Sequence, residues 1–249
     1  MRADTFFEAV KTLPVAPFET LVPEGGLVVV APHPDDESLG CGGLIVQALA
    51  RGRPVRVVIV SDGCGSHPNS KAFPHDRLRD LRESETIAAM AALGLGAEHV
   101  HFLRLPDGGV PSEGPQAEDA AARIAGIAEK AGANAVFVTW KHDPHCDHTA
   151  SAAIVDLARK HLPGAAFHAY PVWGWTLPPE REVGPAPTGC RLSVEDERAA
   201  KRRAVEAHAS QVSGLIEDDP EGFQLQPAMI DRLTGPHEWF IALPADETP

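Results

Sequence analysis

The sequence contains few cysteines and no long apolar run. Its four cysteines are far apart and form no CxxC pair, so we expect neither a disulfide framework nor a cysteine zinc motif, and a reducing compartment fits this content. No run approaches the length of about 18 apolar residues that a transmembrane helix needs. Residues 1–17 lack the continuous apolar segment of a secretory signal. We therefore predict a cytoplasmic protein with no membrane partner.

Basic residues are also in deficit. The 249-residue chain has 22 Lys and Arg against 35 Asp and Glu, a formal net charge of −13. Nucleic acids and anionic membranes require a basic surface, so neither is expected as the main partner. A small molecule is the expected partner, and the sequence leaves the formation of homo-oligomers open. The twelve histidines, several of them near acids, favour metal chemistry.

Short apolar runs alternate with longer helical patterns through the first two thirds of the chain. The predicted strands are Leu27–Ala31, Val55–Val60, Val100–Leu103, Ala135–Thr139 and Phe167–Tyr170. The predicted helices between them are Gly43–Ala50, Asp76–Leu93, Ala117–Lys130 and Thr149–His161. Such alternation is typical of βαβ units. We therefore expect an α/β fold, a Rossmann-like three-layer sandwich with a mostly parallel central sheet.

The alternation of predicted strands and helices ends after Tyr170. We find no linker there and predict one domain over residues 1–249. Its core spans about residues 25–170. The remainder, residues 171–249, begins with a segment rich in Pro and Trp that we interpret as a loop. Ser193–Gln211 is predicted as a charged helix with a capping start at Ser193, and Glu238–Leu243 as an edge strand.

The most informative stretch is His33–Glu37, which reads His-Pro-Asp-Asp-Glu and follows the first predicted strand. Ligands and catalytic groups of open α/β sheets lie at the carboxyl ends of the strands. A second cluster, with His145 and His148, follows the strand Ala135–Thr139. A parallel sheet would bring both clusters to the same edge, so we predict one site there.

The residue types of the two clusters suit metal-assisted hydrolysis. Catalytic zinc takes three imidazole or carboxylate ligands and keeps a fourth position for water. With His33, Asp36 and His148 taken as ligands, two acid–base groups remain beside the metal. Asp35 can accept a proton from the metal-bound water, which is the nucleophile. Protonated His145 can stabilise the oxyanion that forms when water attacks a carbonyl.

The two motifs together resemble the PIG-L/LmbE family of zinc-dependent N-deacetylases. The resemblance implies a Rossmann-like fold and an amide hydrolase that removes an N-acetyl or other N-acyl group from an amino sugar, such as an N-acetylglucosamine conjugate. It also implies zinc, or another divalent metal, bound by His33, Asp36 and His148. Asp35 is then the general base and His145 the oxyanion partner.

Three later elements extend the resemblance from about residue 27 to residue 211. Arg82–Glu85 is similar to the R-x-x-E element of the family, which implies that Arg82 contacts substrate. The loop at Asp107 resembles one that offers an Asp to sugar hydroxyls. Lys201–Gln211 resembles a late K…aHxSQ helix. Taken alone, Arg82 fits an exposed ion pair and Asp107 fits an ordinary turn, and we leave His208 outside the site.

Other interpretations stay open. A dinucleotide-binding oxidoreductase would share the fold and use the glycines of Gly40–Gly43, but three carboxylates would then stand where the pyrophosphate binds. An amidase of a thiol conjugate would belong to the same family. A metal-binding module without catalysis is a further alternative, against which Asp35 argues because such a site needs no base. The sequence does not decide the roles of Glu37, Cys146 and Asp147.

Overall fold

The computed structural model of the chain describes residues 1–243. Its strands, numbered in chain order, are β1 (Val15–Ala16), β2 (Gly26–Ala31), β3 (Val55–Ser61), β4 (Val100–Leu105), β5 (Ala133–Thr139), β6 (Ala166–Tyr170), β7 (Gly189–Ser193) and β8 (His237–Ala242). The helices are α1 (Ala3–Lys11), α2 (Phe18–Leu21), α3 (Asp36–Ala50), α4 (His75–Leu93), α5 (Pro115–Ala131), α6 (Cys146–Arg159), α7 (Arg198–Ala207), α8 (Ala209–Val212) and α9 (Pro227–Leu233). Within residues 1–243, no helix is both long and apolar enough to span a membrane.

The eight strands form one sheet in the order β1-β7-β8-β6-β5-β2-β3-β4. Pairing is parallel except along β8, which runs antiparallel to β6 and β7. Every residue of β2 is buried, as expected for a central parallel strand covered on both faces. Val29 packs in the apolar layer of α3 and α4, and Val28 packs in the layer of α5 and α6. The predicted α/β fold with a mostly parallel sheet is confirmed.

Two predictions for the last part of the chain are wrong. The strand predicted at Glu238–Leu243 is not an edge, because β7 pairs along its other side and β1 pairs with β7. The charged helix does not begin at Ser193, which is the last residue of β7. It begins at Arg198 without a side-chain cap and is interrupted at His208, where a second short helix follows.

The glycine-rich stretch after the first motif serves close packing. Helix α3 begins at Asp36, earlier than predicted. A Cβ atom on Gly40 would lie 2.1 Å from the ring of Tyr170, and one on Gly43 would lie 2.4 Å from Val194. Tyr170 in turn donates its hydroxyl proton to the carbonyl of Val30 at 2.9 Å. The glycines therefore let α3 lie against β6 and the segment after β7, which accounts for them without a bound pyrophosphate.

Candidate active site

The two predicted clusters meet at the carboxyl ends of β2 and β5, which are neighbours in the sheet. From β2 the chain continues outward to β3 and β4, whereas β5 leads to β6 on the other side. Ligands of open α/β sheets bind at such a reversal of strand order. His33 lies in the turn between β2 and α3, and His145 and His148 lie at the start of α6.

The two predicted histidine ligands converge on one carboxylate oxygen of the third ligand, Asp36. Asp36 Oδ2 lies 3.2 Å from His33 Nδ1 and 3.2 Å from His148 Nε2. The imidazoles of His33, His145 and His148 each offer a nitrogen within 4.8 Å of the others. Asp107 and Asp147 contribute further oxygens within 4.8 Å of nitrogens of His33 and His145. The site thus gathers more donors than the three predicted from the sequence.

The protonation of these groups fits a divalent metal. Burial raises the pKa of the Asp36 carboxyl, but the imidazoles of His148 and His33 outweigh it and hold that pKa below its usual range. Burial lowers the pKa of His148, yet the carboxylates of Asp36 and Asp143 raise it to about 9. Nε2 of His148 is buried, and although Asp36 Oδ2 lies 3.2 Å away, no group within residues 1–243 meets it with hydrogen-bond geometry. A divalent cation replaces such protons when it binds, so this donor set suits one.

Asp35, the predicted base, borders the cavity and is nearly buried. Burial raises the pKa of its carboxyl to about 7, the guanidinium of Arg82 opposes this rise, and the charge of Asp36 adds to it. Nη2 of Arg82 lies 3.3 Å from Asp35 Oδ2. The backbone of Asp35 has φ 131°, a value that L-residues rarely adopt. The neighbouring groups must therefore hold this residue in place.

His145 is half-buried, and its ring orientation suits a hydrogen-bond donor. Its Nδ1 accepts the backbone N–H of Asp147 at 3.2 Å, which leaves Nε2 to carry the proton of the neutral ring. Burial lowers the pKa of His145, and the imidazoles of His33 and His148 lower it further. A neutral His145 can thus donate a hydrogen bond to a carbonyl oxygen without the imidazolium form expected from the sequence.

Asp147, whose role the sequence left open, is fully buried and holds His33. Its Oδ2 lies 3.1 Å from His33 Nε2. The same carboxylate accepts the backbone N–H groups of Gly108 at 2.7 Å and Val110 at 3.1 Å. Cys146 is exposed and its sulfur lies 3.7 Å from the carbonyl of Gly108. Asp147 therefore fixes the ring of His33, whereas Cys146 contributes no atom to the three-histidine group.

Arg82 and Asp107, predicted to contact substrate, both border the cavity. Arg82 is not on an exposed helix face, because its terminal nitrogens donate to the carbonyls of Gly63 at 2.9 Å and Pro34 at 2.6 Å. Asp107 Oδ2 accepts the N–H of Gly65 at 2.8 Å, and its Oδ1 lies 3.2 Å from His33 Nε2. Their roles toward substrate stay predictions.

Glu37 and His208 support the site although neither was assigned to it from the sequence. Both are fully buried. Glu37 Oε2 accepts the backbone N–H of Asp35 at 3.0 Å, and Glu37 Oε1 lies 3.1 Å from His208 Nε2. Near them, Glu85 accepts the N–H and hydroxyl of Ser210 at 2.7 and 2.6 Å. The R-x-x-E and HxSQ elements noted in the sequence are therefore in direct contact.

Asp143 is a third residue of the site to which the sequence analysis assigned no role. Its Oδ2 lies 3.0 Å from His148 Nδ1 and accepts the N–H of Trp173 at 3.0 Å. Its Oδ1 accepts the N–H of Gly174 at 2.7 Å. The carboxylate thereby orients the ring of His148 and joins it to the short 3-10 turn Trp173–Thr176. The sequence signal for Asp143 was its position directly before Pro144, in the segment that leads to His145.

A cavity of about 360 Å³ opens beside the cluster. On the cluster side it is bordered by His33, Asp35, Asp36 and His145. Trp173, Thr176, Gln211 and Phe223 contribute to the remaining wall. A mostly parallel α/β sheet with a buried His/Asp centre beside such a cavity fits a metal-dependent hydrolase.

The chain belongs to the PIG-L family, whose model, described as GlcNAc-PI de-N-acetylase, matches residues 28–158. A 1D-myo-inositol 2-acetamido-2-deoxy-alpha-D-glucopyranoside deacetylase of Mycobacterium sp. strain JLS is 30% identical over an aligned length of 241 residues. The match covers 78% of this chain and 75% of the relative. The predicted family is thereby confirmed, and with it an enzyme of the deacetylase class.

Two solved structures show the same fold at low identity. The N,N'-diacetylchitobiose deacetylase from Pyrococcus horikoshii has a TM-score of 0.67 and 19% identity, and the match covers 97% of this chain and 91% of that chain. The 4-carboxy-2-hydroxymuconate hydratase from Pseudomonas putida KT2440 has a TM-score of 0.65 and 18% identity, covering 91% and 99%. Because these two proteins are named for different reactions, the fold alone does not determine the chemistry.

Proposed function

We propose that the protein is a zinc-dependent N-deacetylase that hydrolyses the acetamide of an amino sugar conjugate, such as one of N-acetylglucosamine. The observation that carries the proposal is the convergence of His33, Asp36 and His148 beside a cavity that Asp35 also borders. The names of the relatives, an N-acetylglucosaminyl-inositol deacetylase and a chitobiose deacetylase, support this substrate class. The cytoplasmic location stays a prediction.

His33, Asp36 and His148 would hold the zinc ion. Two imidazoles and one carboxylate are a ligand set that catalytic zinc sites use, whereas magnesium and calcium prefer oxygen ligands alone. When bound, zinc supplies a Lewis acid for the amide carbonyl and makes water more acidic. Asp147 and Asp143 orient the rings of His33 and His148 through the contacts described above.

Asp35 and His145 transfer the proton and stabilise the negative charge. Asp35 accepts a proton from the water that attacks the acetyl carbon, while His145 donates its Nε2–H to the carbonyl oxygen as negative charge develops there. The C–N bond then breaks, and Asp35 returns the proton to the departing amine. The second proton of the water is lost by the acetic acid that forms and is taken up by the amine, so the products are acetate and the protonated amino sugar, and atoms and charge balance.

The dinucleotide-binding alternative is less well supported. The glycines on which it depends are required for the contacts of α3 with Tyr170 and Val194. The carboxylates of Asp35 and Asp36 also border the place where a pyrophosphate would have to bind. An amidase of a thiol conjugate would use the same centre, and only a substrate comparison separates it from a sugar deacetylase.

The proposal is tested by separating metal binding from proton transfer. For Asp35→Asn we expect full zinc content by elemental analysis and a loss of about 10²–10⁴-fold in kcat, because only the base is removed. For His148→Ala we expect zinc content and activity to fall together. Activity is the release of amine from N,N'-diacetylchitobiose with zinc added. Unchanged zinc in His148→Ala would refute the ligand assignment, and full activity in Asp35→Asn would refute the base.

A further inference from the structure

A second group of potential metal ligands lies at the carboxyl end of β3, and none of its three residues borders the cavity. Asp62 directly follows this strand, Cys64 comes two residues later, and His75 is the first residue of α4. Each of the three side chains offers an atom within 4.8 Å of the other two. Because β3 pairs with β2, the group lies at the same edge of the sheet as the active site. A carboxylate, a thiol and an imidazole are ligands of zinc and similar cations, whereas magnesium and calcium prefer oxygen ligands alone.

Neighbouring groups hold two of these ligands face to face. Nε2 of His75 lies 3.2 Å from Asp62 Oδ2. The other oxygen of Asp62 accepts the backbone N–H groups of Cys64 at 3.0 Å and Asp107 at 3.3 Å, which fixes the carboxylate and leaves Oδ2 for the imidazole. Nδ1 of His75 lies 3.3 Å from Asp76 Oδ1. A carboxylate at the second nitrogen is the usual support of a metal-binding histidine, so the ring of His75 already has this arrangement.

Cys64 supplies the third ligand atom. Cys41 and Cys190 are buried, whereas Cys64 is only partly so. Its sulfur lies 3.3 Å from the carbonyl of His75 and 3.6 Å from the carbonyl of Asp62, so it lies between the two other ligand residues. A cation that binds there replaces the thiol proton, which passes to water. Because that proton must be lost and His75 is exposed, we expect weaker binding here than at the buried active site.

The three ligands join the two ends of a loop that forms part of the cavity wall. The loop runs from Asp62 to His75, and its residues Gly65 and Ser66 border the cavity. The N–H of Gly65 donates to Asp107 at 2.8 Å. A cation that links both ends of this loop would restrict its opening, and with it the movement of the wall.

We propose that Asp62, Cys64 and His75 form a second cation site, which binds zinc or a similar thiol-binding divalent ion and fastens the base of the loop that borders the cavity. Three protein ligands leave the fourth position to water on the exposed side of His75. The site takes no part in the proposed hydrolysis, and it fills at higher zinc concentrations than the active site. It would therefore make the rigidity of the cavity wall depend on the supply of metal.

The first test titrates Co²⁺ into the full chain after its metal has been removed with a chelator. Cobalt accepts the ligands of zinc, and a thiolate bound to it gives a charge-transfer band in the near ultraviolet that imidazole and carboxylate ligands do not give. We expect this band to develop after the active site has filled, and to be absent from Cys64→Ser. Asp76→Asn, which changes the group behind His75, should weaken the binding that the band reports by about tenfold. No band in the unaltered protein would overturn the proposal.

Two further variants distinguish this site from the active site. His148→Ala should keep the band, because that residue belongs to the other group of ligands. Cys146→Ser is the matched control for Cys64→Ser, since Cys146 is the exposed cysteine of the chain and lies next to His145. A band that is lost in Cys146→Ser and kept in Cys64→Ser would place the thiolate at the active site and refute the second site.

The second test measures the opening of the loop and needs no catalysis. Lys71 is an exposed trypsin site within the loop, and Lys160, exposed after α6, is a reference site outside it. Cleavage of a loop follows its local opening. We expect zinc in excess of the active-site equivalent to slow cleavage at Lys71 several-fold relative to Lys160, and to have no such effect in Cys64→Ser. Equal protection in both proteins would show that the cation does not fasten the loop through Cys64.

Discussion

The backbone of Asp35 carries strain at the centre of the proposed chemistry. Its φ of 131° is one of only two positive values among non-glycine residues in the described chain, and such conformations cost on the order of 1–3 kcal/mol. Glu37 accepts the N–H of Asp35, and Arg82 donates to the carbonyl of Pro34 just before it. His208 in turn lies against the other oxygen of Glu37. We therefore interpret Glu37 and His208 as residues that position the base.

His208→Leu tests this interpretation. Without its partner, Glu37 is a buried carboxylate supported on that oxygen only by Ser38, so its hold on Asp35 should weaken. Loss of a residue that positions a catalytic group typically costs about 10–100-fold in activity. We expect a loss of that size in kcat on N,N'-diacetylchitobiose, with KM and zinc content little changed, and partial recovery in His208→Gln.

The control for His208 is another buried polar residue of the same region. Lys201 lies on α7 and is fully buried, but it contacts Glu238 rather than the catalytic loop. Lys201→Met should destabilise the protein without a matching fall in kcat at a temperature where it stays folded. If the two variants lose kcat equally, the effect of His208 is general destabilisation and the positioning role is wrong.

At this scale the sequence predicted local patterns well and distant partners poorly. The i, i+3 spacing of His33 and Asp36 was enough to bring those two groups to one point, as the structure shows. The contact of Glu37 with His208 joins positions 171 residues apart. No local periodicity encodes such a pair, and only the packing of α7 and α8 behind α3 creates it.

Among the secondary-structure elements, strands with a local apolar pattern were predicted well, and a strand placed by its distant partner was not. Apolar runs predicted β2, β3 and β5, because buried parallel strands must be apolar on both faces. β7 has no such run, since it reads Gly-Cys-Arg-Leu-Ser and alternates between buried and less buried positions. The sequence therefore predicts a loop and a helix start at this position. Its place is set by pairing with β8, and this pairing also makes β8 an interior strand.

α7 is joined to the sheet by a buried ion pair. Lys201 Nζ lies 2.6 Å from Glu238 Oε1 on β8, and both side chains are almost fully buried. Glu238 also accepts the N–H groups of Gly43 at 2.7 Å and Leu44 at 2.9 Å on α3. One carboxylate thus connects a strand with two helices. Its removal or exposure would affect all three elements together.

The ion pair gives a prediction for stability. Breaking a buried pair by removing one partner costs about 3–5 kcal/mol, because the other charge stays buried and unpaired. We expect Lys201→Met to lower the free energy of unfolding in urea by that amount. Lys201→Met with Glu238→Gln should recover much of it, since the amide oxygen can still accept from Gly43 and Leu44. A double variant no more stable than Lys201→Met would show that α7 depends on the charges themselves.

On the scale of the whole molecule, negative charge is in excess both in the chain and at the proposed metal site. The chain carries a formal charge of −13, and four aspartates, Asp35, Asp36, Asp107 and Asp147, lie in or beside the proposed metal site. Buried carboxylates at such density require positive charge nearby. His33 and His148 supply part of it through pKa values raised by those carboxylates. A bound divalent cation would supply the remainder and free the imidazoles of their protons.

Metal should therefore stabilise the entire fold and not only the loop that binds it. A ligand that binds only the native state adds RT ln(1 + [L]/Kd), about 2.7 kcal/mol at a hundredfold excess over Kd. After removal of metal with a chelator, we expect zinc to raise the thermal midpoint in a concentration-dependent manner. Magnesium should not do so, since imidazole ligands disfavour it.

Two variants locate that effect within the chain. His148→Ala should abolish the zinc-dependent rise, because the imidazole is fully buried and lies 3.2 Å from Asp36. His75→Ala is the matched control, since His75 belongs to the only other described group of potential ligands, with Asp62 and Cys64. That group is more exposed, and burial, aided by the charge of Asp62, raises the pKa of the Cys64 thiol to about 12, which disfavours the thiolate that binds zinc. A rise that persists in His148→Ala and disappears in His75→Ala would move the stabilising metal from the active site to the loop after β3.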